Sequence, residues 1–228
     1  MAVELVNASA VAVAHDVNLS IFRLPWFRDQ KILSEEELAG NVVITRPMVR
    51  IPTPSFELLI LPDRVQVRPS DDPGKAQSDI LRVLGGIVST LPHTPFTAIG
   101  LNFDYLMTPE EHTEFQSWNK ESFAAPFSLD VIDSAQEEAR FGAYYSFDTL
   151  GMRLKADLKP VQRIEQPDGD ILKSPMDPEV MLGKFNFHRD LKERSGVSEI
   201  LQVLGRWNDA ASLALKMAEA ACVRRGQD

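Results

Sequence analysis

The order of hydrophobic patterns predicts an α+β protein: a mostly antiparallel, curved sheet with helices on one face and a long C-terminal helix. Three observations predict it. Period-two runs joined by short turns dominate, as in FELLIL-PD-RVQVRP. No strand is followed by the glycine-rich turn and helix of a parallel βαβ crossover. The C-terminal part carries Ile200, Leu201, Leu204, Trp207, Ala211, Leu215, Ala218 and Cys222 at helical spacing.

Each element has its own signal. Residues 3–23 alternate in patches, Val11 and Val13, then Leu19 and Ile21, which predicts one or two strands turned near Asp16-Val17-Asn18. Ser34-Glu35-Glu36-Glu37 is a capping box that opens a short helix. Residues 42–51 read as a strand. Phe56–Leu61 and Arg64–Pro69 form the clearest hairpin, turned at Pro62-Asp63. In its second arm Val65 and Val67 alternate with Arg64, Gln66 and Arg68, so one face of the sheet is wet.

Asp71-Asp72-Pro73 starts a helix, with Asp at the cap and Pro in the first turn. Its stripe is Ile80, Leu81, Leu84, Ile87, Val88 and Leu91. Gly85 and Gly86 interrupt it. Each costs about 1 kcal/mol against alanine, which predicts a close approach of this helix to the sheet. A strand over Phe96–Met107 follows. Thr108-Pro109-Glu110-Glu111 then reads as a second capping box, for a helix through Phe115 and Trp118 to Ser122. Phe141–Phe147 and Met152–Leu158 alternate about a turn at 148–151, and Pro167-Asp168-Gly169-Asp170 is a further turn. Val180–Leu191 is the last strand. Ser198 caps the final helix; unbroken to Arg224, it is about 40 Å long at 1.5 Å per residue.

The chain has 228 residues, 44% hydrophobic and 25% charged, which suits one domain over 1–228 or two intimately packed halves, 1–124 and 125–228. The net charge is −9 and no run of Lys or Arg forms a patch, so nucleic acid is not an expected partner. The single cysteine, Cys222, excludes an intrachain disulfide and fits a reducing cytoplasm. The N-terminus lacks a positively charged region ahead of an apolar one, and no window has the length of a membrane span. A cytoplasmic protein without a membrane partner is expected.

Two stretches share a pattern: GLNFDYL at 100–106 and GKFNFHRDL at 183–191. Each precedes a helix signal with a tryptophan, Trp118 or Trp207. Alternation puts Leu101, Phe103 and Tyr105 on one face of the first, and Phe185 and Phe187 on one face of the second. Two buried central strands explain the aromatics, and the pair is compatible with a duplicated half-domain. The opposite faces carry Asp104, His188 and Asp190, with Glu111 and His112 nearby, a set able to serve a metal-assisted hydrolase. No HEXXH, HXH or paired metal-site carboxylates accompany them, so no catalytic residue, metal or cofactor is assigned. GXSXG, Walker and dinucleotide-binding signatures are absent. Cys222 reads as a buried structural thiol, His15 and His93 as turn residues, and Asp168-Gly169-Asp170 as a plain turn.

Asp63-Arg64-Val65-Gln66-Val67, the following helix, Gly100-Leu101-Asn102-Phe103, and in outline Phe185 to Trp207 together resemble a sporadically distributed bacterial α+β family of unknown function. The resemblance begins at Val42. It implies a bacterial source and a two-part α+β fold, and supplies no catalytic residue.

The expected function is a non-enzymatic binding or adaptor protein acting through protein–protein contacts, with another protein or a second copy as partner. Trp26 and Phe27, beside Arg23 and Arg28, are the residue types that anchor interfaces; a Trp26 that plugs a core edge is the structural alternative. Two other readings stand beside it. One is a small-molecule binder with an apolar sheet–helix cavity lined by Phe103, Tyr105, Tyr145, Phe147 and Phe185. The other is the hydrolase built on Asp104, His188 and Asp190.

Overall fold

A computed structural model describes residues 2–70, 73–109, 114–124, 140–164, 171–173, 180–192 and 196–222. The strands are β1 (Ala2–Ala14), β2 (Val43–Ile44), β3 (Val49–Pro52), β4 (Phe56–Leu61), β5 (Arg64–Pro69), β6 (Phe96–Thr108), β7 (Ala143–Thr149), β8 (Met152–Ile164), β9 (Ile171–Lys173) and β10 (Val180–Asp190). Nine of them run β2-β3-β4-β5-β1-β6-β10-β8-β7 across one sheet, and β9 pairs with the end of β8. Every pairing is antiparallel. The fold class is α+β, as the hairpin-rich sequence predicts.

Helices cover the sheet face that carries Phe103. They are α1 (Leu24–Asp29), α2 (Glu35–Leu38), α3 (Gln77–Ile80), α4 (Gly86–Thr90), α5 (Phe115–Phe123), α6 (Gly196–Leu204) and α7 (Trp207–Cys222). After Val3 and Leu5 in the first half of β1, the inward residues of its second half are alanines: Ala8, Ala10, Ala12 and Ala14. Their small size lets α7 settle over β1, β6 and β10. Alanines on the helix answer them, since Ala210, Ala211, Ala214 and Ala218 are all buried. No helix among the described residues is long and apolar enough to cross a membrane.

The two NF stretches are the central neighbours β6 and β10. Asn102 lies opposite Asn186, so a local two-fold axis through that pair carries Asn102-Phe103 onto Asn186-Phe187. The Asn186 amide donates to the Asn102 carbonyl oxygen, and the Asn102 amide reaches Ser9 Oγ at 3.4 Å. Polar side chains therefore bridge three central strands on the face away from the helices. Connectivity differs on the two sides of the axis. The outer strand β5 follows β1 in sequence, whereas the outer strand β7 precedes β8.

Several elements depart from the sequence expectations. Leu19–Ile21 is a 3-10 turn, because the Asn18 side chain accepts from the Ser20 amide at 3.1 Å and competes with extended pairing. Residues 42–51 are two short strands, closed by Thr45 N donating to Met48 O. The helix after β5 is not uniform: a π-helical turn, Leu81–Gly85, joins α3 to α4. Its glycines face other neighbours than the sheet. A Cβ on Gly85 would lie 3.0 Å from Leu201 of α6, and one on Gly86 would lie 3.3 Å from Ile32. The close approach is helix to helix and helix to loop. The Asp71-Asp72 cap, residues 110–113 of the second capping box, the turn at Pro167–Asp170 and the chain beyond Cys222 lie outside the described residues. Within them, the helix carrying Trp118 starts at Phe115.

The C-terminal helix is broken at Gly205-Arg206 instead of running unbroken from Ser198. The break redirects the chain so that Trp207 enters the core, where its indole Nε1 donates to Pro73 O at 2.6 Å. From there to Cys222 the helix lies on the molecule's own core through Ala211, Ala218 and Cys222, while Leu201 and Leu215 of the predicted stripe are exposed.

Candidate functional site

The predicted cavity is filled. Phe103, Tyr105 and Phe185 are buried, and they pack ring on ring: Phe103 to Trp207 at 4.7 Å, Phe103 to Phe187 at 6.1 Å, Tyr105 to Phe185 at 6.0 Å. Each aromatic residue supplies the neighbour that closes the space beside another. Tyr145 and Phe147 share that face, but on β7, at the margin of the helix layer, where they stay exposed. The five predicted ligand residues thus divide into three core residues and two surface residues. Tyr145 and Phe185 meet only at the margin, in a cleft of about 210 Å³ with Phe123, Leu158 and Met217. That is below the roughly 300 Å³ at which small-molecule pockets begin. Two larger grooves, about 850 Å³ beside His93 and Val197 and about 560 Å³ beside Asn7 and Arg68, contain none of the five.

The hydrolase set does not converge. Asp104 lies opposite Lys184 and His188 opposite Gly100. The two side chains share a face but stand four residues apart along the strands, about 13 Å at 3.3 Å per residue. His188 Nε2 instead contacts Asp190 Oδ1 at 2.9 Å. Glu111 and His112 lie outside the described residues, and no three potential metal ligands gather among the described ones. Asp104 accepts from the Asn7 amide at 3.2 Å. Burial raises its pKa above the ordinary value, against the hydrogen bond from Asn7 and the charges of Lys184 and Arg68. Cys222 is buried and its thiol is pushed up to about 11, which makes it a poor nucleophile.

The predicted interface also divides. Phe27 is fully buried, because the short helix α1 turns it inward, so it is core and not a contact residue. Trp26 is half-buried, edge-on to Phe22 at 5.2 Å and to Phe27 at 5.1 Å. Arg23 and Arg28 are exposed, and Arg28 lies 3.4 Å from Asp29. Pattern reading missed α1, since six residues hold too few turns to show a period.

The largest exposed aromatic group is elsewhere. Tyr144, Tyr145 and Phe147 are 62%, 44% and 42% exposed, and all three stand on the seven-residue strand β7. β7 is the last strand in the sheet order. The opposite edge is guarded: β2 has two residues and is followed by Arg46-Pro47. β7 has no lysine, arginine or proline, and its one charge, Asp148, is paired with Arg153 at 2.9 Å. Natural sheets blunt their edges with short strands, charges or proline. One edge of this sheet follows that rule and the other breaks it. Tyr144 carried a readable signal, since AYYSF puts aromatics on both faces of one strand, which a strand with one wet face does not need.

No protein-family model, curated protein or solved structure matches this chain.

Proposed function

We propose that the protein is a non-enzymatic, cytoplasmic binding or adaptor protein, and that it makes its protein–protein contacts through the exposed edge of β7. One observation carries this reading: three large aromatics stand exposed on an unguarded edge strand, while Phe103, Tyr105, Phe185 and Phe187 of β6 and β10 are packed away. An edge strand offers main-chain hydrogen bonds, and side chains alternating along it provide selectivity. Aromatic residues bring large contact area at small cost in side-chain entropy. The separation of Asp104 from the His188–Asp190 pair and the filled sheet–helix interface favour it over the hydrolase and cavity readings.

The test compares two surfaces by affinity purification with quantitative mass spectrometry. A Tyr145→Lys/Phe147→Lys variant should lose its specific partners by at least about tenfold, or about 1.4 kcal/mol. An Arg23→Ala/Arg28→Ala variant should retain them. Loss with the arginine variant alone would return the site to α1. Retention by both would end the interaction reading of either surface.

A further inference from the structure

We infer that the occupant of the β7 edge is a second copy of β7, paired antiparallel about a two-fold axis at Ser146; this rests on the reading of β7 as an interaction edge. Backbone register selects this pairing. Thr149 and Met152 close a two-residue turn in which Leu150 and Gly151 have φ of 53° and 74°. That is the type I′ geometry, whose flanking residues exchange both hydrogen bonds. Alternation along the ladder then directs the amides of Thr149, Phe147, Tyr145 and Ala143 to β8. Those of Tyr144, Ser146 and Asp148 point outward, where they meet no backbone partner among the described residues. An antiparallel partner must present outward residues to outward residues. Centring on Ser146 does this over the whole strand: Tyr144 meets Asp148 of the copy, Ser146 meets Ser146, and Asp148 meets Tyr144.

The side chains complement one another in the same register. In this register Tyr145 stands opposite Phe147 of the copy, twice, in the non-hydrogen-bonded positions where Cα atoms approach to about 4.5 Å. Aromatic pairs are among the favourable cross-strand pairs. On the other face each Tyr144 hydroxyl meets the edge where Asp148 is held by Arg153, a donor beside an acceptor. No like charges face each other. Shifting the axis to Tyr145 or Phe147 breaks up the Tyr–Phe pairs. Helix α7 lies mainly over β1, β6 and β10 and meets β7 at the cleft beside Tyr145, and among the described residues Tyr144, Tyr145 and Phe147 remain exposed. A two-fold, self-complementary patch is the ordinary route to a homodimer.

The three rings expose about 300 Å² per copy, taking roughly 200 Å² for each whole side chain. That is below a standard interface, so the dimer should be reversible, with Kd on the order of 10 μM.

Sedimentation equilibrium of the full chain from about 1 to about 300 μM should show a monomer–dimer equilibrium, weakened at least about tenfold in Tyr145→Lys. Disulfide trapping tests the axis independently. Paired Ser146 residues have Cα atoms about 5.5 Å apart, within disulfide range. Ser146→Cys should therefore cross-link to its own copy under mild oxidation, while Tyr144→Cys, two residues off the axis, should not. The buried Cys222 is a silent background. A strict monomer, or equal trapping at 144 and 146, overturns the inference. Dimerisation unchanged in Tyr145→Lys overturns it too, by placing the interface elsewhere. A strict monomer that still loses its partners when Tyr145 and Phe147 are replaced by Lys overturns self-pairing and leaves the interaction edge in place.

Discussion

Phe103→Ala should be among the costliest single truncations in this protein, and Tyr145→Ala, on the same sheet face, among the cheap ones. Phe103 is fully buried, with the Trp207 ring at 4.7 Å and the Phe187 ring at 6.1 Å. Removing the ring loses about 2 kcal/mol of transfer free energy. The remaining cavity, on the order of 80 Å³, adds about 2 kcal/mol at roughly 24 cal/mol per Å³. The total is about 4 kcal/mol. Tyr145 is 44% exposed and stands at the sheet margin, so its truncation should cost about 1 kcal/mol. Urea unfolding followed by tryptophan fluorescence reads both. With m of about 2–3 kcal/mol/M, Phe103→Ala should lower the midpoint by about 1.5–2 M and Tyr145→Ala by less than about 0.5 M. Equal shifts for the two variants would refute the assignment of one face to two environments, core at β6 and edge at β7.

Three further outcomes follow from local geometry. Arg82 donates to Glu37 at 2.7 and 3.1 Å, to Asp79 at 2.8 Å and to Ile32 O at 2.7 Å, so Arg82→Met should cost about 1–2 kcal/mol after allowance for its partial exposure. Burial pushes Glu37 up, but the Arg82 guanidinium and Ser34 hold it below its ordinary 4.5; this stability is present above that value and lost as pH falls through the lowered one, so melts at pH 7 and pH 3 should show the variant's deficit shrinking in acid. Asp104 is shifted the other way: its charged form is disfavoured in the fold, so Asp104→Asn should raise Tm at pH 7, with the gain fading as pH falls through the raised pKa; a lower Tm at pH 7 would mean that Lys184 and Arg68 outweigh burial. Lys31, exposed at φ 55° after α1, occupies a left-handed position, and Lys31→Gly should stabilise by about 0.5–1 kcal/mol in the same urea assay.

The sheet was legible where alternation and turn chemistry agreed. Val65 and Val67 are buried against the wet Arg64, Gln66 and Arg68 side, and the predicted alternation folds as the β7–β8 hairpin from Ala143 onward, with Phe141 held by Asn119 ahead of it. The Ser34 capping box has both of its hydrogen bonds. What failed was local competition and tertiary choice. Asn18 captures an amide that a strand would have used. The turn at Gly205-Arg206 lets Trp207 reach Pro73 O, which a helical stripe spaced evenly through 207 does not announce. Periodicity says that a residue faces inward; it does not say which element it meets, so Gly85 read as a sheet contact when it faces Leu201.

The same limit explains the candidate site. Tyr145, Phe147, Phe103 and Phe185 share a face, and alternation alone makes them equivalent. Strand order separates them. β6 and β10 are central because their mutual register, Asn102 opposite Asn186, places Phe103 and Phe187 beneath the helix layer. β7 is terminal because, among the described residues, its only strand partner is β8. An aromatic side chain placed under a helix is a packing element, and the same side chain on an uncovered edge strand is a contact surface. The sequence does carry a trace of the difference. Beside Asn102 and Asn186 the outward positions are polar, whereas beside Tyr145 the outward position is Tyr144, a ring left exposed on the face where Leu106, Val161, Val180 and Leu182 form a small buried cluster. A strand with aromatics on both faces and no edge-guarding charge is arranged for pairing, which is why β7, and not α1, is where contacts should be sought.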